Sequence, residues 1–342
     1  MNMRKFWILT AAAALVFTSC EKVASNDLNT AAKQYFDSWI QLFHPDAVIT
    51  DNGSYILEET KGNGASMADV EGQPYVRVDY IARTLDGKIQ DYTGEKVAQQ
   101  LGEFYETDYF GPTIWYRGEN NLPKGVDDAL ASMNIGGTKT VAIPGWLLTT
   151  VQKKKKTIRY EKLEDYFKKE SGTPMMYTLC PVEAISNIDK WEIDSLCSWI
   201  TNNQTRITPK DSLKWGFYYL SNFKPSEEEF PTDTTFKINY TGRLLNGTVF
   251  DTTIEKVAKQ AGIWKSGKTY GPVSVKMAEE YSDIELGGGK VVDGFAYIIS
   301  QMHQSESGTG IFYSKWGYGA SGSGNTIPPY SPLIFDIIIE QE

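Results

Sequence analysis

The chain has 342 residues, too many for one small domain and about right for two domains of ordinary size. Hydrophobic residues make up 41% of it and charged residues 23%, which is a globular composition and excludes an intrinsically disordered chain. The formal net charge is -9, and it becomes -11 without residues 1–19, which hold Arg4, Lys5 and no acid. Such a chain lacks the clustered Lys and Arg that nucleic acid requires. We interpret the one basic run, residues 153–156, as a solvated loop.

The beginning of the chain predicts export. Arg4 and Lys5 precede a largely apolar stretch, residues 6–17, which is too short to span a bilayer and is typical of a signal peptide. Thr18-Ser19-Cys20 follows and resembles a bacterial lipobox, although Phe17 stands where Leu is usual. The resemblance implies that Cys20 is lipidated and becomes the new N-terminus. The alternative is a plain secretory signal with an incidental Cys. No later segment is long and apolar enough to cross a membrane, so we expect the remainder to be soluble.

The remaining cysteines and the histidines do not indicate metal or nucleophile chemistry. Cys180 and Cys197 form either a disulfide, which export permits, or two buried thiols. The two histidines, His44 and His303, have no zinc-site spacing and no recognisable nucleophile motif beside them. We therefore expect no metal and no cofactor.

The chain contains an internal repeat. Residues 76–115 align without a gap on residues 236–275, with 14 identities in 40 positions and an offset of 160. Further downstream the similarity continues with an offset of 169. Helix-like stretches at 31–42 and 188–200 precede the two copies. The chain is therefore a duplication, and each unit consists of a helix, a lead-in strand and a β-rich domain.

The second copy has the pattern of an α+β domain. Phe236, Ile238 and Tyr240 alternate with polar residues and share one face of a strand. Residues 294–302 have apolar side chains at helical spacing, and the apolar run 333–339 is typical of a central strand. This order predicts a helix packed across a curved antiparallel sheet.

Four motifs in the second copy carry a family resemblance. The stretches "YTGRLLNGTVFD", "VVDGFAYIISQM", "WGYGASGSGNTIPP" and "SPLIFDIIIE" occur in the order found in FKBP-type peptidyl-prolyl isomerases. The resemblance is strong over residues 216–342 and weaker over residues 53–187. It implies two FKBP-like domains of the α+β class, each a curved antiparallel sheet wrapped on one helix and preceded by a helix. A degenerate domain at residues 20–187 (the first unit) and an isomerase domain at 188–342 (the second unit) would follow a lipoprotein signal peptide at 1–19.

The resemblance also implies a site for the proline ring in the second unit. The expected lining residues are Tyr240, Phe250, Val273, Val291, Val292, Phe295 and Phe335. Phe295 would be the floor, where many family members have Trp, and Asp251 would fix the polar edge. Tyr318 would donate a hydrogen bond to a substrate carbonyl. Ile327 would close one wall and offer its backbone N–H as a second donor. Aromatic residues on strands are often simple core, but Tyr318 and Ile327 lie in loops, which favours a pocket.

The first unit departs from the family at the site. Gln90 replaces the pocket Phe, Val126 stands at the floor position, and after Pro144 there is neither a Tyr-Gly loop nor Ile-Pro-Pro. A charged, helix-like insert at 157–169 comes instead. The residues retained are Tyr80, Asp91 and Tyr177. An amide in an apolar cavity costs free energy unless it is hydrogen-bonded. We expect this unit to keep the fold and to have lost catalysis.

Two hypotheses of function follow. The first is a peptidyl-prolyl cis-trans isomerase, active in the second unit only, that assists the folding of exported proteins. Its partners would be proline-containing exported polypeptides and the membrane that holds its lipid anchor, and not nucleic acid. The second is a non-catalytic binding or assembly lipoprotein that uses the fold as an interaction surface. Both place the protein in a bacterial cell envelope, anchored in the outer membrane, with its domains in the periplasm or at the surface.

Overall fold

A computed structural model describes residues 25–153, 156–160, 172–203 and 212–340 of the chain. The signal peptide and Cys20 lie outside these ranges. Within them, the two main sheets are antiparallel and share no strand. The first is built from residues before position 186 and the second from residues after position 211.

The first unit contains a seven-stranded sheet, a separate hairpin and three helices in the described ranges. Its helices are α1 (Ser25–Phe43), α2 (Glu95–Leu101) and α3 (Lys124–Ala131). Its strands are β1 (Val48–Ile49), β2 (Tyr55–Thr60), β3 (Tyr75–Thr84), β4 (Ile89–Tyr92), β5 (Thr113–Tyr116), β6 (Thr138–Ile143), β7 (Thr150–Lys153), β8 (Lys156–Arg159) and β9 (Met175–Ile185). The strand order is β1-β2-β6-β9-β3-β4, and β5 also pairs with β3. Leu130 on α3, Leu179 on β9 and Phe36 on α1 meet in one buried core.

The second unit contains a nine-stranded sheet and three helices in the described ranges. The helices are α4 (Ile188–Asn203), α5 (Glu255–Gln260) and α6 (Asp293–Ile299). The strands are β10 (Ser212–Lys214), β11 (Phe217–Phe223), β12 (Thr235–Leu244), β13 (Val249–Thr252), β14 (Val273–Lys276), β15 (Glu285–Leu286), β16 (Gly289–Lys290), β17 (Ser307–Phe312) and β18 (Leu333–Ile339). The order is β10-β11-β17-β18-β12-β14-β15-β16, and β13 pairs with β12. Phe295 and Ile298 on α6 pack into one core with Phe335 of β18.

The repeat seen in the sequence is a repeat of structure. Strands β3 and β12 have the same length and lie at an offset of 160, as do β4 and β13. Strands β6 and β17 have the same length at an offset of 169. Helices α1 and α4 precede the two sheets at the predicted places. The predicted fold class, two α+β units each with a curved antiparallel sheet and a helix, is confirmed.

The stretch after Pro144 differs from the prediction. A 3-10 turn over Gly145–Leu148 buries Trp146 and Leu147 in the first core, where Trp146 packs edge to face against Phe36. The expected helix-like insert at 157–169 is wrong at its start, because Lys156–Arg159 is a strand that pairs with Thr150–Lys153. The rest of that insert, residues 161–169, lies outside the described ranges.

Helix α4 contacts both units. At its first turn, Ile188 packs with Ile114 and Ile185 of the first unit. Two turns further on, Leu196 packs with Tyr218 of β11 and other residues of the second unit. The helix therefore connects the units through buried side chains, and the domain boundary between residues 187 and 188 stays a prediction.

The two later cysteines are both free thiols. Cys180 is half-buried on β9, and Cys197 is exposed on α4, with its Sγ 3.4 Å from the hydroxyl of Tyr218. Neither alternative from the sequence therefore holds in full, because there is no disulfide and Cys197 is not buried. No helix in the described ranges has the length and apolar character needed to cross a membrane.

Candidate functional site

Four aromatic rings of the second unit surround one cavity. Phe335, on the central strand β18, lies between the other rings and contacts them. Its ring centroid lies 5.0 Å from that of Phe295 and 5.6 Å from that of Phe250, both edge to face. Tyr240 on β12 is the fourth ring, 5.4 Å from Phe295. We call the rings of Tyr240, Phe250, Phe295 and Phe335 the aromatic box. Edge-to-face packing brings the positive edge of one ring to the negative face of the next, so the rings hold each other in fixed orientations.

Gly242 of β12 makes this packing possible. A Cβ at this position would lie 2.6 Å from the ring of Phe250 and 2.8 Å from that of Phe335, which is closer than real contacts allow. The two rings therefore lie directly over the strand backbone. The equivalent residue of the first unit is Ala82, so the two units differ at the strand itself as well as at the rings.

A charged and polar edge borders the rings. The hydroxyl of Tyr240 donates to Oδ2 of Asp251 at 2.6 Å, and Lys268 Nζ donates to Oδ1 of the same carboxylate at 2.5 Å. Burial, followed by the hydrogen bond to Asp251, raises the pKa of Tyr240 well above its ordinary value of 10.0. Tyr240 therefore keeps its proton, and Asp251 is held in place by three donors, the third being the backbone N–H of Thr252 at 2.9 Å. Lys268 comes from the long segment between β13 and β14, and the sequence did not indicate its role.

Tyr318 brings a hydroxyl to the rim. It follows a 3-10 turn over Ser314–Trp316, it is 38% exposed, and it lines the cavity. Burial of part of its ring raises the pKa of Tyr318, and the charge of Asp251 adds to this rise. The phenol therefore remains a neutral hydrogen-bond donor at physiological pH.

The structure brings eight of the ten expected pocket residues together. They line one cavity of about 480 Å³: Tyr240, Phe250, Asp251, Val291, Val292, Phe295, Tyr318 and Phe335. Leu286 and Lys290 complete the lining, and neither was predicted from the sequence. They belong to β15 and β16, two-residue strands too short to give a periodic signal. The catalytic and binding roles of all these residues stay predictions.

Val273 and Ile327 are not in that lining. Val273 pairs with Ile238 in the sheet, and Leu286 and Lys290 lie at the cavity instead. Ile327 is buried in the second core. Its backbone N–H donates to the carbonyl of Ser323 at 3.1 Å, and its role as second donor to substrate stays a prediction. Val292 lines the cavity, and its backbone N–H has no hydrogen-bond partner among the described residues.

The first unit keeps the polar pair but not the aromatic box. The Tyr80 hydroxyl donates to Asp91 Oδ2 at 2.5 Å, as in the second unit. Val126 is buried at the floor position and offers no ring. Gln90 is exposed, and the ring of Trp115 lies 4.6 Å from that of Tyr80. The polar pair therefore survives in the first unit without the two rings, of Phe250 and Phe295, that border it in the second unit.

The cavity of the second unit is suited to binding and not to bond cleavage. It combines an apolar aromatic box with hydroxyl donors, and the phenol of its one Tyr–Asp pair, Tyr240 with Asp251, stays protonated because burial raises its pKa. The described ranges hold no group of three or more His, Cys, Asp or Glu side chains placed to bind a metal ion. An apolar ring next to a carbonyl group fits such a cavity, and this is the shape of a prolyl peptide bond.

Comparisons with known proteins agree with this class of site. The model of the family "FKBP-type peptidyl-prolyl cis-trans isomerase" matches residues 227–340. FK506-binding protein 2 of Dictyostelium discoideum is 30% identical over 131 residues, which cover 38% of this chain and 79% of that protein. Peptidyl-prolyl cis-trans isomerase FKBP9 of Mus musculus is 33% identical over 320 residues, 93% of this chain and 42% of that protein.

A solved structure of the three FKBP domains of wheat FKBP73 matches 84% of this chain and 94% of its own, at 16% identity and a TM-score of 0.27. The chain belongs to the FKBP-type peptidyl-prolyl cis-trans isomerase family. It spans less than half the length of the mouse relative, so that protein's activity as a whole is not transferred to it.

Proposed function

We propose that this protein is a lipid-anchored prolyl isomerase of the bacterial cell envelope that assists the folding of exported proteins, with catalysis in the second unit alone. The aromatic box around Phe335 is the observation that carries the catalytic part of the proposal. It is complete in the second unit, whereas the first unit has Gln90 and Val126 at two of its positions.

The reaction needs selective binding and no covalent chemistry. Rotation about an X-Pro bond passes through a twisted amide, with an uncatalysed barrier of about 18–20 kcal/mol. Twisting removes resonance and makes the amide less dipolar. An apolar, water-poor cavity therefore favours the twisted form over the planar ground state. The hydroxyl of Tyr318 holds a substrate carbonyl while the ring of proline lies in the aromatic box.

The catalytic test compares one substitution at equivalent positions of the two units in the full chain. Phe250→Ala removes apolar contact of about 1.5–3 kcal/mol, so kcat/KM for an X-Pro peptide should fall about ten- to hundredfold. Gln90→Ala, its counterpart in the first unit, should leave kcat/KM unchanged. Equal losses in the two variants would contradict catalysis in the second unit alone.

Tyr318→Phe is a second, milder substitution in the same site. It removes one hydrogen bond, worth about 0.5–1.5 kcal/mol net, so it should lower kcat/KM less than Phe250→Ala does. If the wild-type chain does not turn over any X-Pro peptide, the enzyme proposal fails. The alternative, a non-catalytic binding or assembly lipoprotein, would then be supported by retained binding of proline-containing peptides.

The anchor is tested at Cys20. We expect Cys20→Ser to move the protein from the membrane pellet to the soluble fraction and to remove the acyl mass from the N-terminal peptide. The proposal rests on the basic and apolar residues that precede Thr18-Ser19-Cys20. A Cys20→Ser protein that stays in the pellet, with no acyl mass on the wild-type peptide, would refute the lipid anchor.

A further inference from the structure

The segment that carries Tyr318 is held by residues outside the second sheet. We call residues 314–330 the site loop, because it begins at Ser314, carries Tyr318 and ends at Tyr330. The backbone N–H of Tyr330 donates to the carbonyl of Gly319 at 2.9 Å, so the end of the loop is fixed directly beside Tyr318. Whatever holds Tyr330 therefore also restrains the residue that offers its hydroxyl to substrate.

The first unit holds the site loop at Tyr330. The ring of Tyr75, on β3, lies 5.5 Å from that of Tyr330 in an edge-to-face arrangement. Both rings pack on a buried cluster of Ile114, Ile185 and Ile188. Tyr330 thus belongs to an apolar cluster built mainly from the first unit and from the start of α4.

A second contact lies at the middle of the site loop. The backbone N–H of Tyr109, in the first unit, donates to the carbonyl of Asn325 at 2.8 Å. The Asn325 side chain returns a hydrogen bond from Nδ2 to Oδ2 of Asp108 at 3.4 Å. Two bonds in opposite directions between neighbouring residues fix both the position and the orientation of Asn325.

Helix α4 holds the beginning of the site loop. Both carboxylate oxygens of Glu192 accept hydrogen bonds from Ser314, from its N–H at 2.6 Å and from its hydroxyl at 2.7 Å. Lys315 pairs with Asp189, one turn earlier on the same helix, at 2.5 Å. The start, the middle and the end of the site loop are therefore all held by residues that precede the second sheet in sequence.

We propose that the first unit positions the site loop of the second, with Tyr75 and Asp108 as positioning residues for isomerisation. This inference rests on the proposed function, because substrate binding is what the loop serves. A loop that is not held in advance must be ordered when substrate binds, and this lowers the apparent affinity by the fraction of chains with an ordered loop. Once substrate is bound, the loop is ordered in either case. Loss of the contacts should therefore raise KM and leave kcat unchanged.

The test uses the full chain with Tyr75→Ala and Asp108→Ala combined. We expect KM for an X-Pro peptide to rise about five- to hundredfold, the size expected from losing one aromatic contact and one hydrogen bond, with kcat unchanged. Tyr75→Phe keeps the ring contact and removes only the hydroxyl that hydrogen-bonds with Tyr330, so it should raise KM less than the double substitution does. The matched control removes the same two side-chain types from exposed positions of the first unit, Tyr35→Ala with Asp46→Ala, and should keep the wild-type KM.

A readout that needs no activity separates this inference from the proposed function. Amide hydrogen exchange over residues 319–330 should become faster in the Tyr75→Ala, Asp108→Ala chain and stay unchanged in the control. Unchanged exchange there, or a fall in kcat at constant KM, would overturn the positioning role. If the wild-type chain has no turnover, the proposed function fails, and exchange alone then decides whether the first unit orders the loop.

Discussion

Single residues decide which unit has a complete site. Both units have the same hydrogen-bonded Tyr–Asp pair, with O···O distances of 2.5 and 2.6 Å. The difference lies in the apolar neighbours, Phe250 and Phe295 against Gln90 and Val126. The polar pair is therefore a feature of the shared strand hairpin, and the rings are what distinguish the cavity of the second unit.

Glu192 predicts a specific dependence of stability on pH. Burial raises its pKa from 4.5 to about 7, although the hydrogen bonds from Ser314 act in the opposite direction. The folded chain thus holds this proton more tightly than the unfolded chain. The contribution of Glu192 to the free energy of unfolding should therefore fall as the pH rises from about 4.5 to about 7, by up to about 3 kcal/mol.

Urea unfolding of the full chain at pH 5 and pH 8 measures this contribution. Glu192→Gln has no proton to lose, so its stability should fall less than that of wild type between these two pH values. Asp194→Asn is the control, since Asp194 lies on the same helix but is exposed and pairs with Lys190. An identical pH dependence in wild type and Glu192→Gln would disprove the assignment.

Much of the site could be predicted at the level of residues, and the failures have physical causes. The ring positions follow from strand alternation and from the motifs, which is why Tyr240, Phe250 and Phe335 meet as predicted. The motifs do not show that the backbone N–H of Ile327 donates within its own turn, to the carbonyl of Ser323. The buried role of Glu192 gave no signal, since one acid on an amphipathic helix is usually solvated.

At the scale of elements, the backbone of β12 determines whether the box forms. Gly242→Ala would place a methyl group within 2.6 Å of the Phe250 ring. We expect the rings to shift and kcat/KM to fall about tenfold or more, at a cost in stability of about 1–3 kcal/mol from overpacking. Steady-state kinetics and thermal unfolding of the full chain measure the two effects.

The equivalent position of the first unit supplies the control. Ala82→Gly makes the reverse change in β3 and should cost about 0.5–1 kcal/mol of stability through backbone entropy, with no change in kcat/KM. If Gly242→Ala leaves turnover intact, the rings of Phe250 and Phe335 do not need a residue without a side chain at position 242, and the role given to Gly242 is incorrect.

The elements themselves were largely visible in the sequence. The constant offset of 160 aligns β3 with β12 and β4 with β13 in sequence. The alternation of apolar and polar residues then indicates both the strand and its buried face. The prediction of a helix from residue 157 is wrong at its start, since Thr157–Arg159 is part of a hairpin strand. A short exposed strand has polar residues on both faces and lacks the alternation that would reveal it.

At the scale of the whole molecule, each unit has its own core, so a core substitution should destabilise mainly the unit that contains it. Leu130 and Ile299 occupy equivalent positions, on α3 and at the end of α6, and each is fully buried in its own core. Leu130→Ala and Ile299→Ala should each cost about 2–5 kcal/mol. We expect each substitution to increase hydrogen exchange mainly in its own unit.

Native-state hydrogen exchange of the full chain reads out both units at once. The contacts through Tyr75, Asp108 and α4 should transmit only a small part of each loss of stability to the other unit. Equal increases of exchange in both units for both variants would show that the chain unfolds as a single body, contrary to the boundary between residues 187 and 188.

Tandem copies of one fold carry a hazard during folding, because a strand of one copy fits the place of its counterpart in the other. The register of β9 and β18 bears on this hazard. Pro181 of β9 faces Val78, and the equivalent residue of β18, Ile339, faces Ile238. The N–H of Ile339 donates to the carbonyl of Glu306 at 2.9 Å, a bond that proline cannot form. A misfolded chain with β9 at the centre of the second sheet would lack this bond, so Pro181 disfavours strand exchange between the two halves of the protein.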